Sequence, residues 1–98
     1  MIEYKYKVQY STRFKKNLKR CLRQGKDIEK LKIVVDKLAN EEVLEFKYKN
    51  HKLINNKYYK DCYECHIEPD WLLVYQYIDN ELVLLLIIIG SHSEVLDM

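Results

Sequence analysis

Glycine, proline and cysteine are all scarce in this sequence, with two Gly, one Pro and three Cys among 98 residues. So little Gly and Pro excludes a collagen-like repeat and a Pro-rich linker, and the 48% hydrophobic content excludes disorder. The odd number of Cys favours reduced thiols over a disulfide framework. Two cores of half this length would each bury too little surface to fold unaided, so we predict a single domain over residues 1–98.

Long hydrophobic runs are missing as well. The longest apolar run, residues 82–89, is far shorter than the roughly 20 residues that cross a bilayer. At the N-terminus, Lys5 and Lys7 alternate with aromatic residues, which differs from the continuous apolar stretch of a secretory signal. We therefore expect no membrane association and place the protein in the cytoplasm.

Lys and Arg are absent after Lys60, although the net charge of the whole chain is only +2. All 17 basic residues lie in residues 1–60 together with seven acids, which gives +10, whereas residues 61–98 carry eight acids and a charge of −8. This polarity predicts that one surface attracts a polyanion such as nucleic acid and that another can receive a basic partner. The alternative is that folding mixes the two halves into a neutral surface.

The N-terminal half predicts one strand followed by a helical hairpin. Apolar and charged residues alternate over residues 2–10, which is typical of a half-buried strand. Ser11 is a candidate N-cap for a first helix that Gly25 would end, and Asp27 is a candidate N-cap for a second helix that continues to Asn40.

The first helix also carries a set of basic residues on the side that faces away from its apolar stripe. These residues are Lys15, Lys16, Lys19, Arg20 and Arg23. A basic amphipathic helix can contact the phosphates of RNA, and an ordinary solvated face has the same composition. We predict that these five residues bind RNA.

The rest of the chain predicts a loop and three strands. Residues 41–57 read as a loop with a short extended piece at 46–48, and strands are expected at 58–67, 71–77 and 82–89. The last strand is apolar on both faces, which predicts a central, buried position. The order β-α-α-β-β-β predicts an α+β fold, a mostly antiparallel twisted sheet with the helical hairpin packed on one face.

The three histidines of the chain, His51, His66 and His92, all lie outside the helical half. Imidazole is the side chain best suited to proton transfer near neutral pH. His66, Asp70 and His92 each fall at or near the end of a predicted strand, where side chains project into solvent-facing clefts, so the three can share one cleft. For each histidine taken alone, an ordinary surface or core role is the alternative.

The segment Cys62-Tyr63-Glu64-Cys65-His66 matches the C-x-x-C-H pattern of covalent haem attachment. We reject this interpretation because a strand sends the two thiols to opposite faces. A zinc site is also incomplete, since the two Cys and one His have no second pair at a suitable spacing. We therefore expect no cofactor and no metal.

Three segments of the chain resemble the YafQ branch of the RelE/ParE toxin superfamily: 48–53, 66–75 and 90–93. The most distinctive part is His-Ile-Glu-Pro-Asp-Trp followed at a distance by Gly-Ser-His-Ser. The resemblance spans nearly the whole chain and implies a RelE-like fold. It also implies a type II toxin, an endoribonuclease that cuts translated mRNA in the ribosomal A site and is neutralised by an antitoxin.

The resemblance also implies which residues act. It associates RNA cleavage with His51, His66, Asp70 and His92. We expect His92 to be the general acid or a phosphate contact, Asp70 and His66 to form the base side, and His51 to contact phosphate or orient the substrate. Where the family often has a C-terminal aromatic residue, this chain has Leu96, which is our candidate for contact with an RNA base.

The partners implied by the resemblance are a cognate antitoxin similar to DinJ or RelB, the ribosome and mRNA, with a heterotetramer or larger complex between toxin and antitoxin. Two alternatives stay open. One is a ParE-like toxin that binds gyrase without cutting RNA. The other is a degenerate toxin that retains only antitoxin binding, since Tyr63 stands where the family usually has Arg.

Overall fold

The structure, a computed structural model, describes residues 4–54 and 56–95. Five strands and three α-helices form within these ranges. In chain order they are β1 (Lys7–Tyr10), α1 (Thr12–Arg23), α2 (Ile28–Ala39), β2 (His51–Lys52), β3 (Tyr63–Glu68), β4 (Trp71–Ile78), β5 (Val83–Gly90) and α3 (His92–Val95). A 3-10 turn at Phe46–Tyr48 precedes β2, and another at Asp79–Glu81 joins β4 to β5.

The strands form one sheet in the order β1-β5-β4-β3-β2. β1 runs parallel to β5, and the other three pairs are antiparallel. The predicted α+β class and mostly antiparallel sheet are therefore confirmed. β5 lies between β1 and β4, which agrees with the interior position that its continuous apolar sequence predicts.

Both predicted helix starts are confirmed by their caps. The Ser11 hydroxyl accepts a hydrogen bond from the backbone N–H of Phe14 at 2.9 Å, and an Asp27 carboxylate oxygen accepts from that of Glu29 at 3.0 Å. Each bond satisfies a donor that the first helical turn leaves free. Gly25 follows α1 at φ +80°, a left-handed conformation that favours glycine, so the predicted stop is confirmed too.

β4 is buried on both faces because each face of the sheet carries its own core. Trp71, Leu73 and Tyr75 face the helical hairpin and pack with Phe14 and Leu38, among others. The opposite face holds a smaller cluster of Tyr59, Cys62, Leu72, Val74, Ile88 and Val95. The hairpin thus covers one face as predicted, and Leu53, Tyr59, Cys62 and Val95 of α3 pack on the other, which the sequence analysis left unassigned.

The irregular connections differ from the prediction. The strand expected at 58–67 begins only at Tyr63, because the Asn56 side chain accepts from the N–H groups of Tyr58 and Tyr59 and Asp61 takes a left-handed φ of +59°. Together these features make a turn. The piece expected to be extended at 46–48 is the first 3-10 turn, and β2 follows it.

The first strand is also shorter than predicted. It covers Lys7–Tyr10, and the backbone N–H of Tyr6 donates to the carbonyl of Ala39 at 2.8 Å instead of joining the sheet. Residues 2 and 3 of the predicted strand lie outside the described residues. None of the helices in the described part of the chain is long and apolar enough to cross a membrane.

The two-sided burial of β4 predicts where the fold is most sensitive. Leu73 is fully buried, so Leu73→Ala should lower the free energy of unfolding by about 2–5 kcal/mol through lost burial and a residual cavity. Ile54 is 77% exposed, and Ile54→Ala should change it by less than about 0.5 kcal/mol. Urea denaturation followed by circular dichroism measures both. Equal losses in the two variants would contradict the assignment of the core.

Candidate active site

His92 is held at the start of α3 by a reciprocal pair of hydrogen bonds. The Glu94 carboxylate accepts from the backbone N–H of Ser91 at 2.9 Å, and the Ser91 hydroxyl accepts from that of Glu94 at 3.3 Å. This arrangement is a capping box. The bond from the Ser91 backbone holds the pKa of Glu94 below its usual value. The short helix therefore starts at a fixed point, directly after β5.

Gly90 allows the capping box to lie against the end of the sheet. A Cβ atom at this position would be 2.9 Å from Glu94 Oε1 and 3.3 Å from Arg20 Nη2. Arg20 Nε lies 3.0 Å from Glu94 Oε2, so α1 also holds α3 in place. Arg20, which the sequence analysis assigned to RNA, is therefore a half-buried partner of Glu94.

Asp70 lies between β3 and β4 and contacts His92 twice. Its Oδ1 accepts from the backbone N–H of His92 at 2.9 Å and lies 2.7 Å from ring Nδ1. The backbone bond, followed by the side-chain bond, lowers the pKa of Asp70. An ionised carboxylate can only accept hydrogen bonds, so Nδ1 carries the proton of this pair and Nε2 is left for a substrate. The expected grouping of Asp70 with His66 is thus replaced by a pair with His92.

His66 reaches the same end of the sheet through the register of the strands. It lies opposite Leu72 of β4, which in turn lies opposite Gly90 of β5. Residues directly opposite one another share a face, so His66 belongs to the row that ends beside α3. The rings of His66 and His92 meet edge to face, with their centroids 5.3 Å apart.

His51 joins the cluster through Glu64. β2 places His51 opposite Glu64, and Glu64 precedes His66 by two residues, so the three side chains share one face. Glu64 Oε1 lies 3.6 Å from His51 Nε2 and 3.5 Å from His66 Nε2. The structure therefore brings together the four predicted catalytic residues, and the residue linking them is one that sequence analysis had not selected. A signal was present, since Glu64 is an acid on the same strand face as His66.

A cavity of about 570 Å³ opens beside His66 and His92. Its basic lining residues are Lys30, Lys47 and Lys49. Lys30 pairs with Glu68 at 2.8 Å, whereas Lys49 has no ion-pair partner within the described ranges. These lysines were not among the predicted RNA contacts, because the predicted basic residues all lie on the first helix. The available signal was the run Phe46-Lys47-Tyr48-Lys49, in which basic and aromatic residues alternate.

A larger cavity, of about 810 Å³, lies between β1 and the helices. Its walls are mainly aliphatic and aromatic, and they include none of the candidate catalytic residues. The smaller cavity, beside the histidines, is therefore the candidate active site.

The other predicted RNA contacts have different outcomes. Lys15, Lys16, Lys19 and Arg23 are exposed on α1 and are available to a partner. Leu96 lies outside the described residues. Ion pairs of Glu94 with Arg20 and of Glu68 with Lys26 and Lys30 join the acidic half of the sequence to the basic half, so folding partly mixes the two.

The sequence and the fold are those of a class of small bacterial toxins. The family model described as "Bacterial toxin of type II toxin-antitoxin system, YafQ" matches residues 6–97. Within that class, the chain belongs to the YafQ family, which confirms the resemblance found in the three sequence segments. The chain is 38% identical over 75 residues to the mRNA interferase toxin YafQ of Escherichia coli (strain B / BL21-DE3), covering 74% of this chain and 78% of that protein.

Solved structures show the same architecture. A metal-bound toxin from Helicobacter pylori is 43% identical with a TM-score of 0.86, and the match covers 92% of this chain and 98% of that one. The toxin of the E. coli DinJ-YafQ toxin-antitoxin complex is 30% identical with a TM-score of 0.82, covering 94% and 98%. The RelE-like fold is therefore confirmed.

The double contact of Asp70 with His92 predicts a specific titration. Because the two bonds stabilise the carboxylate, the backbone amide signal of His92 should shift on acidification with a midpoint below 3.8, the ordinary pKa of Asp. Any stabilisation of α3 from this pair is present above that ordinary value and is lost as the pH falls through the lowered pKa.

Two-dimensional ¹⁵N NMR measures the midpoint, and Asp70→Asn should remove this acidic transition. A midpoint at or above 3.8 would contradict the pairing.

Proposed function

We propose that this toxin is a metal-independent endoribonuclease that cleaves mRNA on the ribosome. One observation carries the proposal: Asp70, His92, His66, Glu64 and His51 form a continuous series of contacts, and two of them, His66 and His92, line one cavity. The names of the two E. coli relatives, both mRNA interferase toxins, support it.

Cleavage of RNA without a metal needs a base and an acid on opposite sides of the phosphate. The base removes the proton of the 2′-hydroxyl, whose oxygen attacks the neighbouring phosphorus. The bond from phosphorus to the 5′-oxygen then breaks, and the acid protonates that oxygen. The products are a 2′,3′-cyclic phosphate, or the 3′-phosphate after its hydrolysis, and a free 5′-hydroxyl.

The geometry suggests a role for each histidine. His92 is the general acid, because Asp70 occupies its Nδ1 and leaves Nε2 to give the proton. His66, on β3, is the general base, and His51 contacts the phosphate. Lys49, which lines the same cavity, supplies positive charge for the phosphorane-like transition state.

The replacement of the family Arg by Tyr63 leaves this cluster intact. Tyr63 stacks on Tyr75 at a centroid distance of 5.7 Å on the face of the sheet that carries the helices. His66 lies on the other face, because successive residues of a strand alternate. The position of Tyr63 therefore gives no support to a degenerate toxin, and a gyrase-binding toxin has no need of an imidazole cluster.

We also propose that a cognate antitoxin similar to DinJ or RelB holds this toxin inactive in the cytoplasm, where ribosomes and mRNA are found. The likeness to the toxin of the E. coli DinJ-YafQ complex supports this partner. By the same analogy, the complex is a heterotetramer or larger.

The nuclease proposal predicts the effect of His92→Ala. Loss of a general acid should lower the single-turnover rate of mRNA cleavage on programmed ribosomes by about 10²- to 10⁴-fold. Glu81→Gln, in the exposed turn at the end of β4 and β5 opposite to Leu72 and Gly90, should retain the wild-type rate. Primer extension maps the cut sites. Growth arrest without codon-aligned breaks would contradict the nuclease, DNA breaks would favour gyrase, and the absence of both effects would favour a degenerate toxin.

The exposed lysines of α1 predict a salt effect. If Lys15, Lys16 and Lys19 contact ribosomal phosphates, replacing all three by Gln should weaken ribosome binding and reduce the slope of log affinity against log salt by roughly one unit per lysine. The thermal midpoint should hardly change, since the three side chains are exposed. An unchanged salt slope would remove this helix from the ribosome-binding surface.

A further inference from the structure

Glu64 is a buried acid whose only ion-pair partners within the described ranges are histidines. It is 3% exposed, and its Oε2 atom has no hydrogen-bond partner there. Its other oxygen, Oε1, faces Nε2 of both His51 and His66. Burying a carboxylate is costly unless a partner compensates for its lost hydration. The two imidazoles are therefore the groups that make this burial tolerable.

We infer that Glu64 is a positioning residue that holds His51 and His66 by their Nε2 atoms and so fixes which ring nitrogen of each faces the RNA. This inference rests on the proposed nuclease function and extends it to a residue outside the four catalytic candidates.

For His66, the contact selects the nitrogen that acts as the base. With Glu64 ionised, Oε1 can only accept, so Nε2 of His66 must carry the proton of this pair. In the neutral ring the lone pair then lies on Nδ1, which is the atom able to take the proton of the 2′-hydroxyl. Glu64 thus acts on His66 as Asp70 acts on His92. The difference is that Glu64 contacts Nε2 of its histidine, whereas Asp70 contacts Nδ1.

For His51, the contact places an acceptor on each side of the ring. Its Nδ1 lies 2.8 Å from the carbonyl oxygen of Lys49, which can only accept. Its Nε2 faces Glu64 Oε1, a second acceptor. His51 satisfies both acceptors at once only when both ring nitrogens carry protons.

The distances of 3.5 and 3.6 Å are those of ion pairs and are longer than strong hydrogen bonds. Contacts in substrate-free active sites are often long and shorten in the complex. Because Glu64 is shielded from water, its charge acts on both rings with less screening than an exposed carboxylate would have.

The experiment compares Glu64→Gln with Glu64→Asp in the full chain. Gln keeps the volume but removes the charge, so the single-turnover cleavage rate on saturating programmed ribosomes should fall about 10- to 100-fold while ribosome affinity stays unchanged. Asp retains the carboxylate and should recover part of the rate. Glu81→Gln is the matched control, since Glu81 lies in the turn at the end of β4 and β5 opposite to Leu72 and Gly90, and it should cleave as the wild type does.

Histidine side-chain ¹⁵N NMR provides a readout that needs no RNA. In the wild type, neutral His66 should carry its proton on Nε2, and in Glu64→Gln this preference should be lost. A neutral His66 protonated on Nδ1 in the wild type would overturn the inference even if the Gln variant failed to fold. A Gln variant with the wild-type rate and tautomer would overturn it as well. If the wild type does not cleave mRNA, the nuclease proposal fails, and the NMR result still decides the role of Glu64.

Discussion

The pairing register of β3, β4 and β5 is the constraint on which the site depends. His66 lies opposite Leu72 and Leu72 opposite Gly90, so one row of residues crosses three strands and ends where α3 begins. Asp70 precedes Leu72 by two residues and His92 follows Gly90 by two, which brings their side chains to 2.7 Å. A shift of one residue would turn His66 to the face covered by the helices. The two different cores on either side of β4 oppose such a shift, so the packing of the cores also keeps the histidines in position.

The charge asymmetry of the sequence also converges on this end of the sheet. The acidic half supplies Asp70 and Glu64 but has no Lys or Arg, so it cannot by itself stabilise the charge of an RNA phosphate. The basic half supplies that charge from two places, since Lys47 and Lys49 line the cavity and Arg20 neutralises the acid that caps α3. The site therefore needs both halves of the sequence, because the acidic half supplies its carboxylates and the basic half supplies its positive charge.

The parts of this fold that follow from sequence are those with local signals. Ser11, Gly25 and Asp27 indicate the ends of helices, because each acts on the backbone within a few residues of itself. The longer strands are predicted by the pattern of apolar residues along them. A two-residue strand such as β2 has no period, and the late start of β3 depends on a turn made by the Asn56 side chain. The catalytic candidates came from family resemblance and, for His66, Asp70 and His92, also from their positions near strand ends. The contacts of these residues could not be predicted in the same way, because the pairing of Asp70 with His92 and the position of Glu64 depend on the register between distant strands.

The two carboxylates of the site act on imidazoles under different physical conditions. The Asp70 side chain is 69% exposed, so water and salt weaken its charge and two hydrogen bonds to one residue maintain the contact. Glu64 is buried, so its charge extends to two rings without a short hydrogen bond to either. Asp70 lies in the turn between β3 and β4, whereas Glu64 lies within β3, so the sheet itself decides which of the two carboxylates water reaches.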